Sequence, residues 1–343
     1  MLLGITPAVA SGEKYVGVAP ALESTPSNFQ SSPSDVNAED TMTTSKSYQI
    51  IKQIAPELFD NVALVPTVGS NANIIDSRVG GVDVKISTNP SAGISLTDPI
   101  ADGARLEITL PNAEQATHGA GEAPGVVTYD NRDGSTSTVI VKSDGSVQIV
   151  TTIANADAPT EYTYKVSIPK GGRIEASPGG STVSILDSKG AFVGGFAPAW
   201  AKDSNGVSVD TKYTASNGEV TQTVNHRSGD YVYPIVADPW GGIDLVSSYY
   251  WSYPSQGRRL NVVPTWWAYA WVGNPSWAAV GVAGWDELNI KIGAWGRARV
   301  NNSMRTQWIC HQGFGINQAE WNLEDWSPDN DIWWYIGELC DAS

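Results

Sequence analysis

Cysteine is nearly absent: the 343-residue chain has two, Cys310 and Cys340, both close to its end. A pair of thiolates cannot build the four-ligand cage of a structural zinc site, whereas a late pair suits a disulfide in an oxidising compartment. Histidine is almost as scarce. His118, His226 and His311 are dispersed with no H-x-x-x-H or H-E-x-x-H spacing, so the ligand set of a metal hydrolase is missing. Positive charge is in deficit, with 21 Lys and Arg against 36 Asp and Glu for a net charge of −15. That balance repels polyphosphate and argues against nucleic acid and anionic membrane surfaces as partners. No apolar run approaches the roughly 18 to 20 residues needed to span a bilayer, so no membrane span is expected. There is no G-x-S-x-G elbow and no glycine-rich phosphate loop. Ser11 and Lys14 fit S-x-x-K by chance, beside a processing site. No cofactor and no metal are implied.

What is present begins with an address. Met1-Leu2-Leu3-Gly4-Ile5 followed by Ala8-Val9-Ala10 reads as the last part of an apolar signal core and an A-x-A cleavage site, so residues 1–10 are expected to be a signal-peptide remnant. A complete signal needs a basic stretch and more apolar residues upstream, so the start is expected to be truncated or assigned too far downstream. Residues 11–47, rich in Ser, Thr, Pro and acidic residues over most of their length, bury too little to offset the entropy of ordering and are expected to be a disordered linker. The expected location is secreted or extracellular, either free or held at the cell wall by non-covalent contacts.

Residues 48–238 are expected to be β-rich after a short helix. Tyr48, Ile51, Ile54, Ala55 and Leu58 recur at helical spacing until Pro56 interrupts them. The period then changes. Asp83–Ile86, Arg105–Leu110, Thr138–Val141, Val147–Val150 and Tyr162–Val166 carry β-branched and aromatic residues, several in two-residue alternation. Asp133-Gly134, Asp144-Gly145, Asn205-Gly206 and Asn217-Gly218 between such runs supply tight hairpin turns, so consecutive strands should pair antiparallel in a sandwich or in two tandem β-units. The last expected strand, Asp230 to Asp238, stops at Pro239.

Composition shifts at that proline. Of 14 Trp, only Trp200 lies before Trp240, and residues 239–343 are expected to form a Trp-rich α+β domain. Most of its rings must be core, because indole buries much surface per residue. Helical patterning covers Trp285 to Ile292 and Asn302 to Cys310, with Gly313 and Gly315 ending the second helix. The run Trp266 to Trp271 fits neither period. Paired, Cys310 and Cys340 would close a loop worth about 3 to 4 kcal/mol in the chain-entropy model. The competing reading is a catalytic thiol beside His311, opposed by the divergence of adjacent side chains on a helix. Glu320, Glu324, Asp325, Asp329, Asp331, Glu338 and Asp341 place carboxylates among aromatic rings, the chemistry of glycoside hydrolysis, although their spacing identifies no acid and base. Arg258, Arg259, Arg297, Arg299 and Arg305 can pair with those acids or stack on rings.

Two segments carry a family resemblance. Asn225-His226-Arg227-Ser228-Gly229-Asp230-Tyr231 through Val236-Ala237-Asp238-Pro239-Trp240 resembles a stretch in exported actinobacterial proteins that closes a β-domain and leads into a C-terminal module. Gly284-Trp285-Asp286-Glu287-Leu288, Ser303 to His311 and Trp321-Asn322-Leu323-Glu324-Asp325-Trp326 resemble an uncharacterised domain family of the same proteins. The resemblance implies no activity and transfers no catalytic residue; similar closing strands in large secreted toxin-delivery proteins keep a toxin in view. The expected function is a non-enzymatic binding protein, secreted or held at the envelope, with a cell-wall polysaccharide or a protein as partner. Its expected contacts are Trp266, Trp267, Trp271, Trp333 and Trp334, since exposed indoles stack on sugar rings or anchor protein contacts. The alternatives are a secreted hydrolase or antibacterial toxin using His311 with Glu324 or Asp325, and an adhesin without a small ligand.

Overall fold

The structure is a computed structural model and describes residues 42–67, 72–99, 105–315 and 318–340. The signal remnant and most of the expected linker lie outside those residues. The last part of the linker does not behave as one: helix α1, Thr44–Ile54, starts four residues before Tyr48. Thr43 caps it, with its hydroxyl accepting the Lys46 amide at 3.2 Å, so the Ser/Thr cluster read as a spacer is a helix start. Pro56 ends the pattern by opening a short 3-10 turn, Pro56–Phe59.

Two antiparallel sheets face each other across one aliphatic core. The seven-stranded sheet runs in the order Asn73–Val79, Val82–Ser87, Ile94–Thr97, Arg105–Thr109, Glu161–Val166, Glu219–Val224, Thr211–Ser216. Its partner runs Arg173–Ala176, Val183–Leu186, Phe192–Phe196, Trp240–Gly242, Val147–Ile153, Ser135–Val141, Val126–Asp130, Ala120–Ala123, with Ala201–Lys202 and Ile235–Ala237 attached beside Val147–Ile153. The five strand runs read from the sequence fall in these strands, except that Leu110 lies just past the end of Arg105–Thr109. The turn at Asn217-Gly218 has positive φ at both residues, +51° and +80°, the backbone that a two-residue hairpin demands and that this dipeptide tolerates.

Alternation explains the burial. In Val82–Ser87, Val84 and Ile86 point into the sandwich while Lys85 is exposed. Ser135–Val141 and Val147–Ile153 are buried along their whole length, because their second face is also covered. Val139, Val141 and Ile149 face the opposite sheet. Ile140 and Val150 pack under Ile51 of α1, Ala55 that ends it and Leu58 of the turn that follows. The one polar residue α1 pushes into this layer, Ser47, meets the hydroxyls of Thr136 and Thr152 at 2.5 and 2.8 Å, which satisfies three otherwise orphaned groups.

The closing segment departs from expectation. Only Ile235–Ala237 of the 230–238 run is strand, and the chain does not leave the sheet at Pro239: Trp240–Gly242 pairs with Val147–Ile153 and Phe192–Phe196. Proline cannot donate, but its carbonyl accepts the Ile149 amide at 2.8 Å, so the ladder resumes on either side of it.

A three-stranded antiparallel sheet then forms from Val246–Ser252, Arg259–Pro264 and Trp321–Glu324. Around it stand α2, Trp266–Tyr269; α3, Trp277–Lys291; α4, Gly293–Arg297; α5, Asn302–Phe314; and α6, Ile332–Gly337. Helix α3 starts eight residues before the Trp285 read from the sequence, and Gly313 sits inside α5, leaving Gly315 as its cap. Gly284 sets the helix spacing: a Cβ there would come 2.7 Å from the Trp308 ring. The Trp308 indole N–H donates to the Gly281 carbonyl at 2.8 Å. Glycines on α3 thus make room for an indole of α5, an exchange of volume that the helical pattern alone does not reveal.

Candidate functional site

The five expected tryptophans do not share one environment. Trp267 and Trp271 are fully buried, and the expectation that they offer exposed rings is corrected. They form the joint between sandwich and helices, where Phe192 stacks on Trp267 with centroids 5.9 Å apart and meets Trp271 edge-on at 5.3 Å. Leu186 and Leu245 complete that cluster. The cause is the local helix: Thr265 caps α2, its hydroxyl accepting the Ala268 amide at 3.0 Å. Consecutive residues on a helix point apart, so Trp267 turns inward and Trp266, 55% exposed, turns outward.

Hydrogen bonds fix the joint. Asp144, in the turn between two central strands, accepts the Trp267 amide at 3.0 Å and the Ser146 amide at 2.9 Å. The Trp267 indole donates to the Trp240 carbonyl at 3.2 Å, and the Trp240 indole donates to the Ser146 hydroxyl at 2.9 Å. Further along, the Glu287 carboxylate on α3 accepts both the Leu245 and Val246 amides, at 2.9 and 2.8 Å. Lys291 ion-pairs with Glu287 at 2.8 Å and with Asp244 at 2.6 Å. Burial, followed by the nearby Asp244, pushes the Glu287 carboxyl well above the usual carboxylate range. Burial works against the charged Lys291 amine, but Glu287 and Asp244 outweigh it and raise that group.

Around the outward ring of Trp266 lie two clefts. One, of about 370 Å³, is lined by Ser247, Val263, Pro264, Trp266, Tyr269 and Ala319, with the 143–144 turn at its side. The other, of about 570 Å³, is lined by Trp200, Trp240 and Trp266 together with Glu57, Lys142 and Lys202. Both fall in the range of small-ligand sites, about 300 to 1,000 Å³. In the larger cleft the Lys202 amine contacts Glu57 at 2.6 Å and lies 5.3 Å from the centre of the Trp200 ring. Partial burial works to raise Glu57, but the Lys202 contact prevails and holds its carboxyl below the ordinary value. The Lys142 amine donates to the Leu58 and Asp60 carbonyls at 2.5 and 3.0 Å, and burial pulls it down to about 8. Asp238 lies beneath, its carboxyl accepting the Trp200 amide at 2.9 Å and the Gln148 side-chain amide at 3.2 Å. Burial raises it well above the carboxylate range, and it acts as a cross-strand tie.

Sequence reasoning passed over Trp200, Trp240, Lys142, Lys202 and Glu57. A signal existed in two places: Trp200 is the lone tryptophan of the β-region, and Trp240 closes the quoted V-A-D-P-W segment. The four segments that bring them together are far apart in the chain, and no spacing rule connects them.

The remaining expected residues lie elsewhere. Trp333, 75% exposed, and Trp334 sit on α6, and neither lines the clefts beside Trp266. Cys310 and Cys340 are joined, with Cα atoms 5.5 Å apart, and both are buried against Tyr335, so the catalytic-thiol reading is excluded. His311 is buried and stacked on Trp321, centroids 5.7 Å apart. Glu324 faces Arg259 at 2.6 Å, and Asp325 holds Arg258 through its side chain at 2.6 Å and its backbone amide at 2.8 Å. These acids anchor strand ends. His226 is also structural, its ring nitrogens meeting the Tyr233 hydroxyl at 2.7 Å and the Pro159 carbonyl at 3.0 Å; burial lowers its pKa. Among the described residues no group of three or more His, Cys, Asp or Glu could hold a metal ion, and no helix is long and apolar enough to cross a membrane.

No curated protein and no solved structure shows significant similarity to the chain. The part of the molecule that begins with the strand Val246–Ser252 is where a family is recognised: residues 246–343 match the family described as Protein of unknown function (DUF2599).

Proposed function

We propose that the chain is a non-catalytic binding protein, secreted or associated with the cell envelope, and that a cell-wall polysaccharide seats in the cleft beside Trp266. The observation that carries this reading is the position of Trp266: one exposed indole lines two clefts, the larger of which it shares with Trp200 and Trp240. Flat, rigid rings with an N–H at one edge suit the apolar faces and hydroxyl rims of sugars. Polar groups of Glu57, Lys142 and Lys202 beside them suit hydroxyl recognition. Export is supported by the A-x-A stretch at Ala8-Val9-Ala10 and by the buried disulfide. The hydrolase alternative draws no support from His311, Glu324 and Asp325, since the ring is buried and both carboxylates are ion-paired.

Sedimentation of the full chain with insoluble cell-wall polysaccharide and with peptidoglycan tests the reading. Trp266→Ala is expected to weaken binding about tenfold or more, the scale of an interface anchor, while Trp333→Ala leaves it unchanged. Equal sedimentation of wild type and Trp266→Ala would sink the assignment of the cleft.

A further inference from the structure

The two clefts beside Trp266 differ in chemistry, and the difference specifies a ligand. The larger offers a ligand charge and hydrogen-bonding capacity. The Lys202–Glu57 pair stands at its side, Asp60 and Asn61 are exposed on its rim, and the buried Lys142, its amine held by the Leu58 and Asp60 carbonyls, lines it. The smaller cleft has polar residues in its lining, but the buried ones are already occupied. Asp144 accepts from the Ser146 and Trp267 amides and from the Ser146 hydroxyl at 2.6 Å. The Thr265 hydroxyl donates to the Asp244 carbonyl at 2.8 Å and accepts from Ala268. What remains for a ligand is mainly the apolar surface of Val263, Pro264, Ala319 and the Trp266 and Tyr269 rings.

These surfaces are neighbours by construction. Lys142 lines the polar cleft and Ser143 and Asp144 line the apolar one, along a single turn. Trp266 is common to both. A purely hydrophilic sugar chain would leave the apolar side wet at a cost in free energy, and a simple fatty acid would leave the ionic groups of the polar side unmatched. We infer that the ligand is a glycoconjugate with an acyl or alkyl chain: its sugar lies against Trp200, Trp240 and Trp266, and its chain turns around the Trp266 ring into the pocket of Val263, Pro264 and Ala319. This inference rests on the glycan-binding reading and narrows it to an amphiphilic class.

The test uses the full chain and a panel of methyl and octyl β-glycosides of glucose, galactose, mannose and N-acetylglucosamine, each kept below its micelle concentration, with octanoate as the chain alone. Calorimetry and tryptophan fluorescence report affinity. For at least one sugar the octyl glycoside is expected to bind about tenfold or more tighter than both the methyl glycoside and octanoate, as burial of several methylenes requires. Ala319→Trp, which fills the apolar pocket from an exposed position, and Val263→Gln are expected to erase that increment, bringing the octyl glycoside down to the affinity of the methyl glycoside. Circular dichroism of each variant confirms its fold. Equal affinity for methyl and octyl glycosides overturns the inference, as does octanoate binding as tightly as the octyl glycosides. Failure of every octyl glycoside to bind also overturns it. The polysaccharide sedimentation assay separately decides the underlying glycan reading.

Discussion

The sandwich and the region from Val246 onward solve one problem with different materials. The sandwich excludes water with many aliphatic side chains from two large sheets, closing its ladder strand by strand. The later region has three short strands and about a hundred residues, too few for that strategy. It packs Trp285, Trp308 and Trp321 with Leu288 and Met304 instead, trims α3 to glycine where Trp308 must enter, and ties its end with Cys310 to Cys340. Large rigid rings bury much surface per ordered residue, but each needs a shaped recess. The comparison teaches that a small unit can substitute ring area and a covalent staple for core size. Its helices also gain support from the sandwich through Trp267 and Trp271.

The sharpest way to break that comparison is to remove the joint. Trp267→Ala deletes the ring that Phe192 and Gly242 enclose and is expected to cost about 3 to 5 kcal/mol, as for other buried aromatic truncations. Urea unfolding followed by tryptophan fluorescence and by far-ultraviolet circular dichroism should give coincident transitions for the wild type and separated ones for the variant. Coincident, unshifted transitions would show that the joint is not a source of stability.

The staple is the next test. Cys310→Ala with Cys340→Ala is expected to cost about 3 to 4 kcal/mol, as a cross-link closing a loop of this length does in the chain-entropy model. In the Trp267→Ala background, where the two transitions are expected to separate, the loss should appear in the transition of the Trp-rich region and spare the sandwich. A loss shared equally by both would mean that the two regions unfold as one.

The smallest effect near neutrality, growing at high pH, belongs to the sandwich. Burial pushes the hydroxyls of Tyr129, Tyr162, Tyr164 and Tyr213 well above their usual value. The unfolded chain releases those protons near about pH 10, whereas the folded chain retains them. Their stabilisation is therefore complete below about pH 10 and is lost as pH rises through the folded values. Lys142 acts in the opposite sense. Its folded pKa of about 8 lies below the unfolded one, so that group favours the folded state more as pH rises from about 8 to about 10.4. Melting temperatures should be flat or rise slightly up to about pH 10 and then fall. Tyr213→Phe should make the fall shallower, and an unchanged alkaline limb would refute the tyrosine assignment.

Much of the sandwich was legible because its signals are local. Alternation marked Val84 and Ile86, and Asn217-Gly218 marked a hairpin, each within a few residues. Helix α1 was half legible: Ile51, Ala55 and Leu58 repeat visibly, but Thr43 as a cap looks like any other linker threonine until the helix after it is known. Among the tryptophans, residue type gave only the odds of burial. Trp266 and Trp267 are adjacent and chemically identical, and whether the chain is read as strand or helix there, one of them faces out. Which one depends on how Thr265 caps the turn and on Asp144, more than a hundred residues earlier, receiving the Trp267 amide.

The sequence by itself determined a mainly β protein, the antiparallel pairing of its hairpins, a Trp-rich C-terminal part and a cysteine pair free to join, because periodicity, turn chemistry and composition are written within short windows. Only the tertiary structure decided that Trp267 and Trp271 are a joint while Trp266 is a wall, that Glu324 and Asp325 are spent on Arg259 and Arg258, and that Glu57, Lys142, Trp200 and Trp240 share one cleft. Those assignments depend on which distant groups compete for each side chain, and that competition is settled when the sheets and helices pack.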